Sequence, residues 1–361
     1  MSEWSALPSL AKAPTLSVVV PAYQCASMLD RCLRGLLASD FTRSLWELIV
    51  VDDGSDDDAT AAVARAHGAH VVRVDDGPTG PAFARNRGVD VASGDIVVFV
   101  DADVVVSRTA LSQFVQVFDE QCDVAAVFGS YDSTPADAGF VSQYRNLLHH
   151  WVHHREAGPA STFWAGCGAV RASAFTSVGG FDAERYPRPQ IEDIDLGYRL
   201  SDAGFRIVLD PRIQGTHLKR WTLRSMLRAD LFDRAIPWML LLRARGAVGK
   251  NGSLNLRVQE KVMTGIMSLA LLLSLAALLL QRSALLWASA LCLMIVIFAN
   301  VTLFGWFVRI RGVVFALCAI PLRLLFYVVC AVGGVVGLLI TPPRTGRERQ
   351  RTRADALGVA P

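Results

Sequence analysis

The apolar residues of this chain are distributed unevenly, and this limits what the chain can fold into. Up to about residue 210 they form short runs separated by Asp, Gly and Ser, a pattern typical of buried strands in a soluble α/β domain. In residues 262–340 they dominate, and this region contributes strongly to the 52% hydrophobic content of the 361-residue chain. We therefore predict a soluble domain followed by a membrane region.

Two stretches in the second part of the chain, 262–280 and 284–307, are predicted to span a membrane. Each has the length of about 20 apolar residues that is needed to cross the hydrocarbon core of a bilayer. The third stretch, 312–340, is interrupted by Pro321 and Arg323. There we favour a re-entrant or broken pair of short segments, because a single crossing would put the Arg-rich C-terminal tail outside the cell, against the positive-inside rule. A single span is the alternative. The number of crossings after the second span stays open.

Basic residues also mark the segment that precedes the first span. In residues 219–258, Arg and Lys alternate with apolar residues that recur at helical spacing, such as Leu223, Leu227 and Leu231. This pattern is typical of a helix that lies on a membrane surface, although an ordinary amphipathic helix packed on the domain would have the same pattern. The predicted organisation is an N-terminal tail (1–14), an α/β domain (15–218), an interfacial segment (219–258), a membrane region (259–341) and a basic cytoplasmic tail (342–361).

Charge and cysteine content bear on partners and compartment. A net charge of +3 is too small to indicate nucleic-acid binding, and seven cysteines without a CxxC pair fit reduced thiols. The N-terminal residues lack the charged start and apolar core of a signal peptide. We expect a multi-pass protein of the plasma (inner) membrane with its α/β domain in the cytoplasm.

Predicted strands and helices alternate along the first hundred residues. The predicted strands are 16–20, 48–51, 70–74 and 96–100, and the predicted helices are 27–37, 60–66 and 83–92. Later candidates are strands at 163–170 and 205–209 and a helix at 193–203. Such alternation implies parallel pairing and right-handed crossovers, so the fold class is α/β with a mostly parallel, Rossmann-like sheet. Ligands of such sheets bind at the carboxyl ends of the strands.

Aspartates follow two of the predicted strands. Asp53 comes after the second strand, where a carboxylate can accept hydrogen bonds from a nucleobase imide and from ribose hydroxyls; a solvated turn that caps a helix is the alternative. Asp101 and Asp103 follow the fourth strand. One would bind Mg²⁺ or Mn²⁺, which take oxygen ligands and share them with substrate phosphates, and the other would bind a sugar or ribose.

Three further charged residues are candidates for chemistry. Arg85 suits bidentate contact with a phosphate, or is a solvated arginine on a helix. Glu192 and Asp193 begin a predicted helix, where acidic residues are also favourable for structural reasons. As a functional group, Asp193 would be a general base that takes the proton of an acceptor hydroxyl.

The segment that follows the last predicted strand carries His217, Arg220 and Trp221. A neutral imidazole at His217 would complete a metal site, or the histidine is structural. Arg220 would neutralise a leaving diphosphate. Trp221 would stack on a sugar face or sit at the membrane interface.

Together these residues resemble the family 2 glycosyltransferases, which have a GT-A fold. The resemblance covers roughly residues 17–221, and the joint order of its short motifs is more specific than any one of them. The motifs are VVVPAY at 18–23, VDDGS at 51–55, ARNRG at 84–88, DAD at 101–103, GCGAVR at 166–171, VGGFD at 178–182 and EDIDL at 192–196.

This resemblance implies an inverting, single-displacement transfer of a sugar from a nucleotide-sugar donor, such as a UDP- or GDP-sugar. It implies that Asp53 contacts the base, that Asp103 holds the metal and that Asp193 is the catalytic base. We add His217 as a second metal ligand and Glu192 as the catalytic partner of Asp193. The nucleotide-sugar site would further include Pro21, Tyr23, Arg85, Asp101 and Arg220. The acceptor side would include Gly180, Asp182 and Trp221.

One motif departs from the family pattern. Processive members carry QxxRW, whereas this chain has HxxRW, with His217 in the first position. We therefore expect a non-processive enzyme. Its expected acceptor is a hydroxyl of a membrane lipid or lipid-linked compound, because the basic amphipathic segment would hold the site against the bilayer. The alternatives are a polyprenyl-phosphate sugar synthase, which needs no general base, and a non-catalytic membrane partner that retains the fold.

Overall fold

The structure is a computed structural model that describes residues 16–75, 77–248 and 257–340. The predicted N-terminal tail (1–14) and basic C-terminal tail (342–361) lie outside the described residues. The nine strands are β1 Leu16–Ala22, β2 Trp46–Asp52, β3 His70–Arg73, β4 Ile96–Val100, β5 Val104–Val106, β6 Val124–Tyr131, β7 Gly158–Ala160, β8 Cys167–Arg171 and β9 Arg206–His217.

These strands form one mixed sheet in the order β3-β2-β1-β4-β8-β6-β9-β5, with β7 paired to β9. The strands β1 to β4 pair in parallel, as the alternation of strands and helices predicts. The strand β8 inserts antiparallel between β4 and β6. The predicted fold class, an α/β sheet of the GT-A type followed by apolar C-terminal helices, is confirmed.

Seven helices accompany the sheet: α1 Ala26–Leu37, α2 Ala59–Ala66, α3 Pro81–Asp90, α4 Ala110–Glu120, α5 Phe140–Arg155, α6 Ala172–Ser177 and α7 Glu192–Asp202. Both faces of the sheet are covered, because successive side chains of a strand point to opposite faces. Val18 and Val20 join the apolar cluster that contains Leu33 of α1. Val19 joins the opposite cluster with Ala84 of α3 and Leu196 of α7. The core therefore lies on both sides of the strand whose carboxyl end carries the first motif.

The strand predicted at 163–170 begins later than expected. Only Cys167–Arg171 is a strand, and the preceding residues turn so that the Trp164 ring packs against Tyr131. The backbone N–H of Ala165 donates to the Asp193 carboxylate at 3.2 Å instead of to a neighbouring strand. A long-range polar contact thus ends the ladder where the apolar pattern alone continues.

The second half of the described chain is helical. Its helices are α8 Leu223–Arg228, a π-helical segment Ala229–Ala235, α9 Ile236–Ala244, α10 Val258–Leu280, α11 Ser283–Ala299, α12 Val301–Arg311 and α13 Val313–Leu339. Helices α10 and α13 are long and apolar enough to cross a membrane.

The span predicted at 284–307 is divided between two helices, α11 and α12, and stays a prediction because such a bent pair is either a broken span or a re-entrant loop. The chain bends by 57° between α11 and α12. The bend lies at Asn300, whose side-chain amide donates to the Val296 carbonyl and whose amide oxygen accepts from Arg323. Polar partners at this position stabilise the end of one helix and the start of the next.

Residues 312–340, for which a broken pair and a single span were both open, contain one continuous helix, α13, of 27 residues, so the broken pair does not form. Pro321 lies on its exposed face, whereas Arg323 lies on its buried face. There the Arg323 guanidinium donates to Glu260 and to Asn300. Because its charge is paired inside the protein, Arg323 does not interrupt the helix.

Candidate active site

Arg85 joins two of the acidic motifs. It lies on α3 and is buried, with Nη1 donating to Glu192 Oε1 at 2.9 Å and Nη2 donating to Asp101 Oδ1 at 2.7 Å. Glu192 is the first residue of α7, and Asp101 follows β4. One guanidinium therefore brings together residues that are 16 and 107 positions away along the chain.

Asp193 lies next to this ion-pair network. Asp193 is half-buried, and its carboxylate accepts backbone hydrogen bonds from Ala165 at 3.2 Å and from Ile194 at 2.8 Å. Burial and the neighbouring Glu192 charge raise the pKa of Asp193 to about 7, against the opposing effect of Arg85. A carboxylate with such a pKa can accept a proton near neutral pH, which is what a general base must do.

Asp103 faces His217, whereas Asp101, two residues earlier, faces Arg85. The Asp103 Oδ2 atom lies 3.3 Å from His217 Nε2. Burial raises the pKa of Asp103, but the hydrogen bond with His217 and the charges of His217 and Lys219 outweigh it, so the pKa is lowered overall. His217 Nδ1 lies 2.7 Å from the amide oxygen of Asn146, which orients the ring and directs Nε2 towards Asp103.

The pair Asp103 and His217 fits a divalent cation that is shared with a substrate. Mg²⁺ and related ions bind through one or two protein ligands together with phosphate oxygens, rather than in an all-protein cage. Within the described residues, no group of three or more His, Cys, Asp or Glu side chains has the arrangement of a metal site. A pair of protein ligands therefore fits a metal that is shared with a diphosphate better than a structural metal.

Asp53 is occupied by the loop that leads into α3. Its Oδ1 accepts from the Thr79 N–H at 3.0 Å and from the Thr79 hydroxyl at 2.6 Å, and its Oδ2 accepts from the Gly80 N–H at 2.8 Å. Gly80 has a φ of +95°, which favours glycine, and Pro81 then begins the helix. Asp53 thus fixes the start of the helix that carries Arg85.

The order of the strands places Asp53, which follows β2, at the same edge of the sheet as Asp101, which follows β4. β2 and β4 flank β1, so Asp53 and Asp101 are separated by two strand spacings, or about 10 Å. Pro21 is half-buried near the end of β1, and Tyr23 just after it is 40% exposed. Within the described residues, no direct contact joins Asp53 to the Arg85 network.

Gly180 and Asp182 stabilise a turn behind Arg85. Asn86 donates to the Phe181 carbonyl at 2.8 Å and accepts from the Phe181 N–H at 2.9 Å. Asp182 accepts from the Arg185 N–H at 3.1 Å, and the Phe181 ring lies 5.4 Å from the Arg85 guanidinium. These contacts give the turn a structural task, and its predicted acceptor role stays a prediction.

Arg220 and Trp221 have different environments. Arg220 is exposed, as a residue that meets a mobile diphosphate would be. Trp221 is 8% exposed, and its ring lies 4.6 Å from the ammonium group of Lys219. Its backbone N–H donates to Ser142 of α5 at 2.7 Å. Trp221 therefore anchors the chain to α5 before the helices of the membrane region begin.

An aromatic wall beside His217 was not predicted. Tyr131 stacks on His217 with ring centroids 4.5 Å apart, and it also packs against Trp164 and His149. Burial lowers the pKa of His149, so this histidine is neutral. The histidines at 149 and 153 are on one face of α5, and their spacing is the feature of the sequence from which this aromatic cluster could have been predicted.

Comparison with known proteins gives one family. The model of glycosyl transferase family 2 matches residues 17–179. The chain is 34% identical over 218 residues to the glycosyltransferase AglE of Haloferax volcanii, covering 57% of this chain and 68% of that protein. It is 33% identical over 234 residues to the pre-mycofactocin glycosyltransferase of Mycobacterium tuberculosis, covering 60% of this chain and 45% of that protein.

Among solved structures, the chain resembles the mannosyltransferase PcManGT from Pyrobaculum calidifontis in complex with GDP-Man and Mn²⁺. The TM-score is 0.53 at 19% identity, and the alignment covers 92% of this chain and 90% of the other. At this identity the likeness shows a shared fold, which extends over both halves of the molecule.

Proposed function

Because the chain belongs to glycosyl transferase family 2 and is thus a glycosyltransferase, we propose that it transfers one sugar from a nucleotide-diphosphate sugar to a hydroxyl group of a membrane lipid or lipid-linked acceptor. The reaction is a single displacement that inverts the configuration of the anomeric carbon. The observation that carries this proposal is the Arg85 network, which holds Asp101 and Glu192 beside Asp193, a carboxylate with a pKa of about 7.

Asp193 provides the base for this reaction. A hydroxyl group is a poor nucleophile until its proton is removed, and a positioned carboxylate takes that proton as the new bond forms. The hydrogen bonds from Ala165 and Ile194 orient the Asp193 carboxylate. Glu192 is engaged with Arg85 and with the Gln190 N–H, so it orients the start of α7 and leaves proton transfer to Asp193.

Asp103 and His217 would hold Mg²⁺ or Mn²⁺ together with the donor diphosphate. When bound, the cation neutralises the charge that develops on the leaving diphosphate. The exposed Arg220 and Lys219 add positive charge next to this pair. The related fold of PcManGT in complex with GDP-Man and Mn²⁺ supports a donor of the UDP- or GDP-sugar class.

The acceptor assignment rests on the second half of the molecule. Two helices there are apolar enough to cross a membrane, and α8 and the π-helical segment expose Leu223 at 44% and Phe232 at 49%. These side chains would enter the lipid interface and hold the catalytic domain on the cytoplasmic face of the plasma membrane. Such a position favours a lipid or lipid-linked acceptor, and His217 in place of the glutamine of QxxRW favours transfer of one sugar at a time.

The test uses the full-length protein purified in detergent and returned to lipid vesicles. It is incubated with radiolabelled UDP- and GDP-sugars, Mn²⁺ or Mg²⁺, and a membrane lipid extract. We expect label in the organic phase, dependence on the cation, and addition of a single sugar with inverted anomeric configuration by NMR. Labelling of soluble acceptors alone would overturn the lipid acceptor.

Two variants on α7 separate the alternatives. Asp193→Asn removes the base, whereas Asp202→Asn changes an exposed carboxylate at the other end of the same helix and is the matched control. Near-normal transfer by Asp193→Asn would favour a polyprenyl-phosphate acceptor, which is already an anion. Failure of the parent protein to transfer or hydrolyse any of the sugar donors would favour a non-catalytic partner.

A further inference from the structure

The N-terminal end of α13 packs on the catalytic domain. The ring of Phe315 lies 5.1 Å from that of Phe140 in α5. Ala316 and Ala319 are buried in one cluster with Tyr144 and Leu147 of the same helix. The first two turns of α13 are therefore at the level of the catalytic domain.

The C-terminal end of α13 is also next to the catalytic domain. A side chain added at Gly337 would clash with Met239 of α9, and Arg243 at the end of α9 donates to the Gly337 carbonyl at 2.8 Å. Helix α9 in turn packs on α7, because Trp238 Nε1 donates to the Tyr198 hydroxyl at 3.2 Å. One helix layer separates this end from the catalytic domain.

The middle of α13 is tied to the same side. Arg323 donates to both oxygens of Glu260 at 2.7 Å, near the start of α10. Close to Glu260, Arg257 pairs with Glu156, which follows α5. Both ends and the middle of α13 therefore contact the catalytic domain or a helix next to that domain.

These contacts are incompatible with a crossing by α13. Its 27 residues extend for about 40 Å, which exceeds the roughly 30 Å of a hydrocarbon core. A crossing helix of this length would have one end on the far side of the bilayer, yet both ends contact the catalytic domain or a helix packed on it. We propose that α13 lies in the plane of the membrane, and that the α10–α11 hairpin is the part of the described chain that crosses it.

The outer face of α13 fits the lipid interface. Val314 is 76% exposed, Leu317 60%, Val335 57% and Leu339 80%. These apolar side chains extend from one end of the helix to the other, as they do in helices that lie at the boundary between headgroups and acyl chains. The neighbouring crossing hairpin fixes lipid as the occupant of this face.

The α10–α11 hairpin has the opposite character. Near the catalytic domain its residues are buried, as Met263 and Met267 are beside Val296. Towards the turn they become exposed, with Leu279 at 70% and Trp287 at 77%. Helix α10 alone extends for about 34 Å, so the turn at Gln281 reaches the far side of a bilayer.

This arrangement brings the candidate site close to the membrane. Helix α5 contacts α13 through Leu147 and its neighbours, and it contacts His217 through Asn146. One helix diameter of about 10 Å therefore separates the lipid-facing layer from the predicted metal ligand. It also places the C-terminal end of α13, which basic residues follow in the sequence, on the side of the catalytic domain, in agreement with the positive-inside rule.

Epitope accessibility tests the number of crossings in the full chain. Three versions carry a short epitope in the exposed turn at Gly68, in the turn between Gln281 and Arg282, or after residue 361. We expect the terminal epitope to be on the same side as the one at Gly68, and the epitope at Gln281 to be on the opposite side. A terminal epitope opposite Gly68 would show that α13 crosses, and all three on one side would show that the hairpin does not.

Depth measurements test the orientation of α13 independently. Single cysteines at Val314, Val332 and Leu339, in a chain whose seven native cysteines are replaced, carry a fluorophore that is quenched by spin-labelled lipids. An in-plane helix gives depths that agree within about 5 Å, at 5–10 Å below the headgroups. A crossing helix would spread the two end positions by about 37 Å. Retained donor hydrolysis and thermal unfolding identify the labelled versions that are folded.

Discussion

The catalytic domain and the membrane region each bury an arginine, but they satisfy it differently. Arg85 and Arg323 are both 4% exposed. Arg323 faces one carboxylate, Glu260, in a bidentate pair, and its Nε donates to Asn300 at 2.8 Å. Arg85 faces the carboxylates of Asp101 and Glu192 with Asp193 nearby, and its Nε has no partner among the described residues.

This difference distinguishes the structural ion pair of Arg323 from the candidate active site around Arg85. In the membrane region one positive charge meets one negative charge, and both Nε and Nη2 of Arg323 have hydrogen-bond partners. At the end of the sheet, the carboxylates outnumber the guanidinium, which leaves a partly buried excess of negative charge. Such an excess is costly in the folded protein and is characteristic of sites that bind a cation or transfer a proton.

The largest expected effect concerns the base. Asp193→Asn should lower the rate of transfer about 10²- to 10⁴-fold, because the acceptor proton loses its carboxylate. In the parent protein the rate should rise with pH and level off above about 7, since Asp193 acts only when ionised and its pKa is about 7. Initial rates of lipid glycosylation between pH 5 and 9 measure both effects.

Asp202→Asn is the control for this prediction, since Asp202 is exposed and pairs with Arg245. Its rate and pH profile should match those of the parent. An unchanged pH profile in Asp193→Asn would show that Asp193 does not take part in the proton transfer.

The next effect should distinguish the two buried arginines. Arg323→Met leaves Glu260 without its partner and should destabilise the fold by about 3–5 kcal/mol. Turnover per folded molecule should stay near that of the parent, because Arg323 is outside the Arg85 network. Thermal unfolding in detergent and activity below the unfolding temperature measure the two quantities.

Arg309→Met removes an exposed arginine from the neighbouring helix α12 and should change stability by no more than about 0.5 kcal/mol. If Arg323→Met instead abolished turnover in a fully folded protein, the membrane region would contain part of the site.

A smaller effect concerns the cost of the Asp193 charge to the stability of the folded protein. The pKa of Asp193 is raised from 3.8 to about 7 in the fold, so ionisation of this group destabilises the folded state at pH 8. Asp193→Asn should therefore be more stable than the parent at pH 8, by about 1–3 kcal/mol. The gain should shrink as the pH falls through 7 and vanish below about 4, where both states of the parent are protonated.

Thermal unfolding of both proteins at a series of pH values measures this gain. A variant that is less stable than the parent at pH 8 would mean that the charge near Arg85 is already balanced.

The smallest effect concerns the orientation of His217. Asn146→Ala removes the amide oxygen that fixes its ring and should weaken metal affinity about 10-fold, with the rate restored at saturating metal. The Mn²⁺ concentration that gives half-maximal activity measures this change. Asn300→Ala, a change at a second buried asparagine, should leave that concentration unaltered while lowering stability. An unaltered value in Asn146→Ala would exclude a role of His217 in the metal site.

Local pattern was sufficient for the first half of the fold. The β-branched runs at 16–20 and 96–100 specify buried parallel strands, and helices with one apolar face separate them. Because parallel strands end at one edge of a sheet, the positions of Asp53, Asp101 and Asp103 at that edge followed from the sequence. The division into a soluble and an apolar half followed from hydropathy in the same way.

Only the tertiary structure decided which charges meet. Arg85 was equally compatible with a solvated helix, and its partner Glu192 is 107 residues away. Arg323 was taken as a break in a helix because its partner Glu260 is 63 residues away, and Asn300 at the bend contacts the same arginine from 23 residues away. The free energy of a buried charge depends on partners brought close by the fold, and periodicity along the chain contains no information about them.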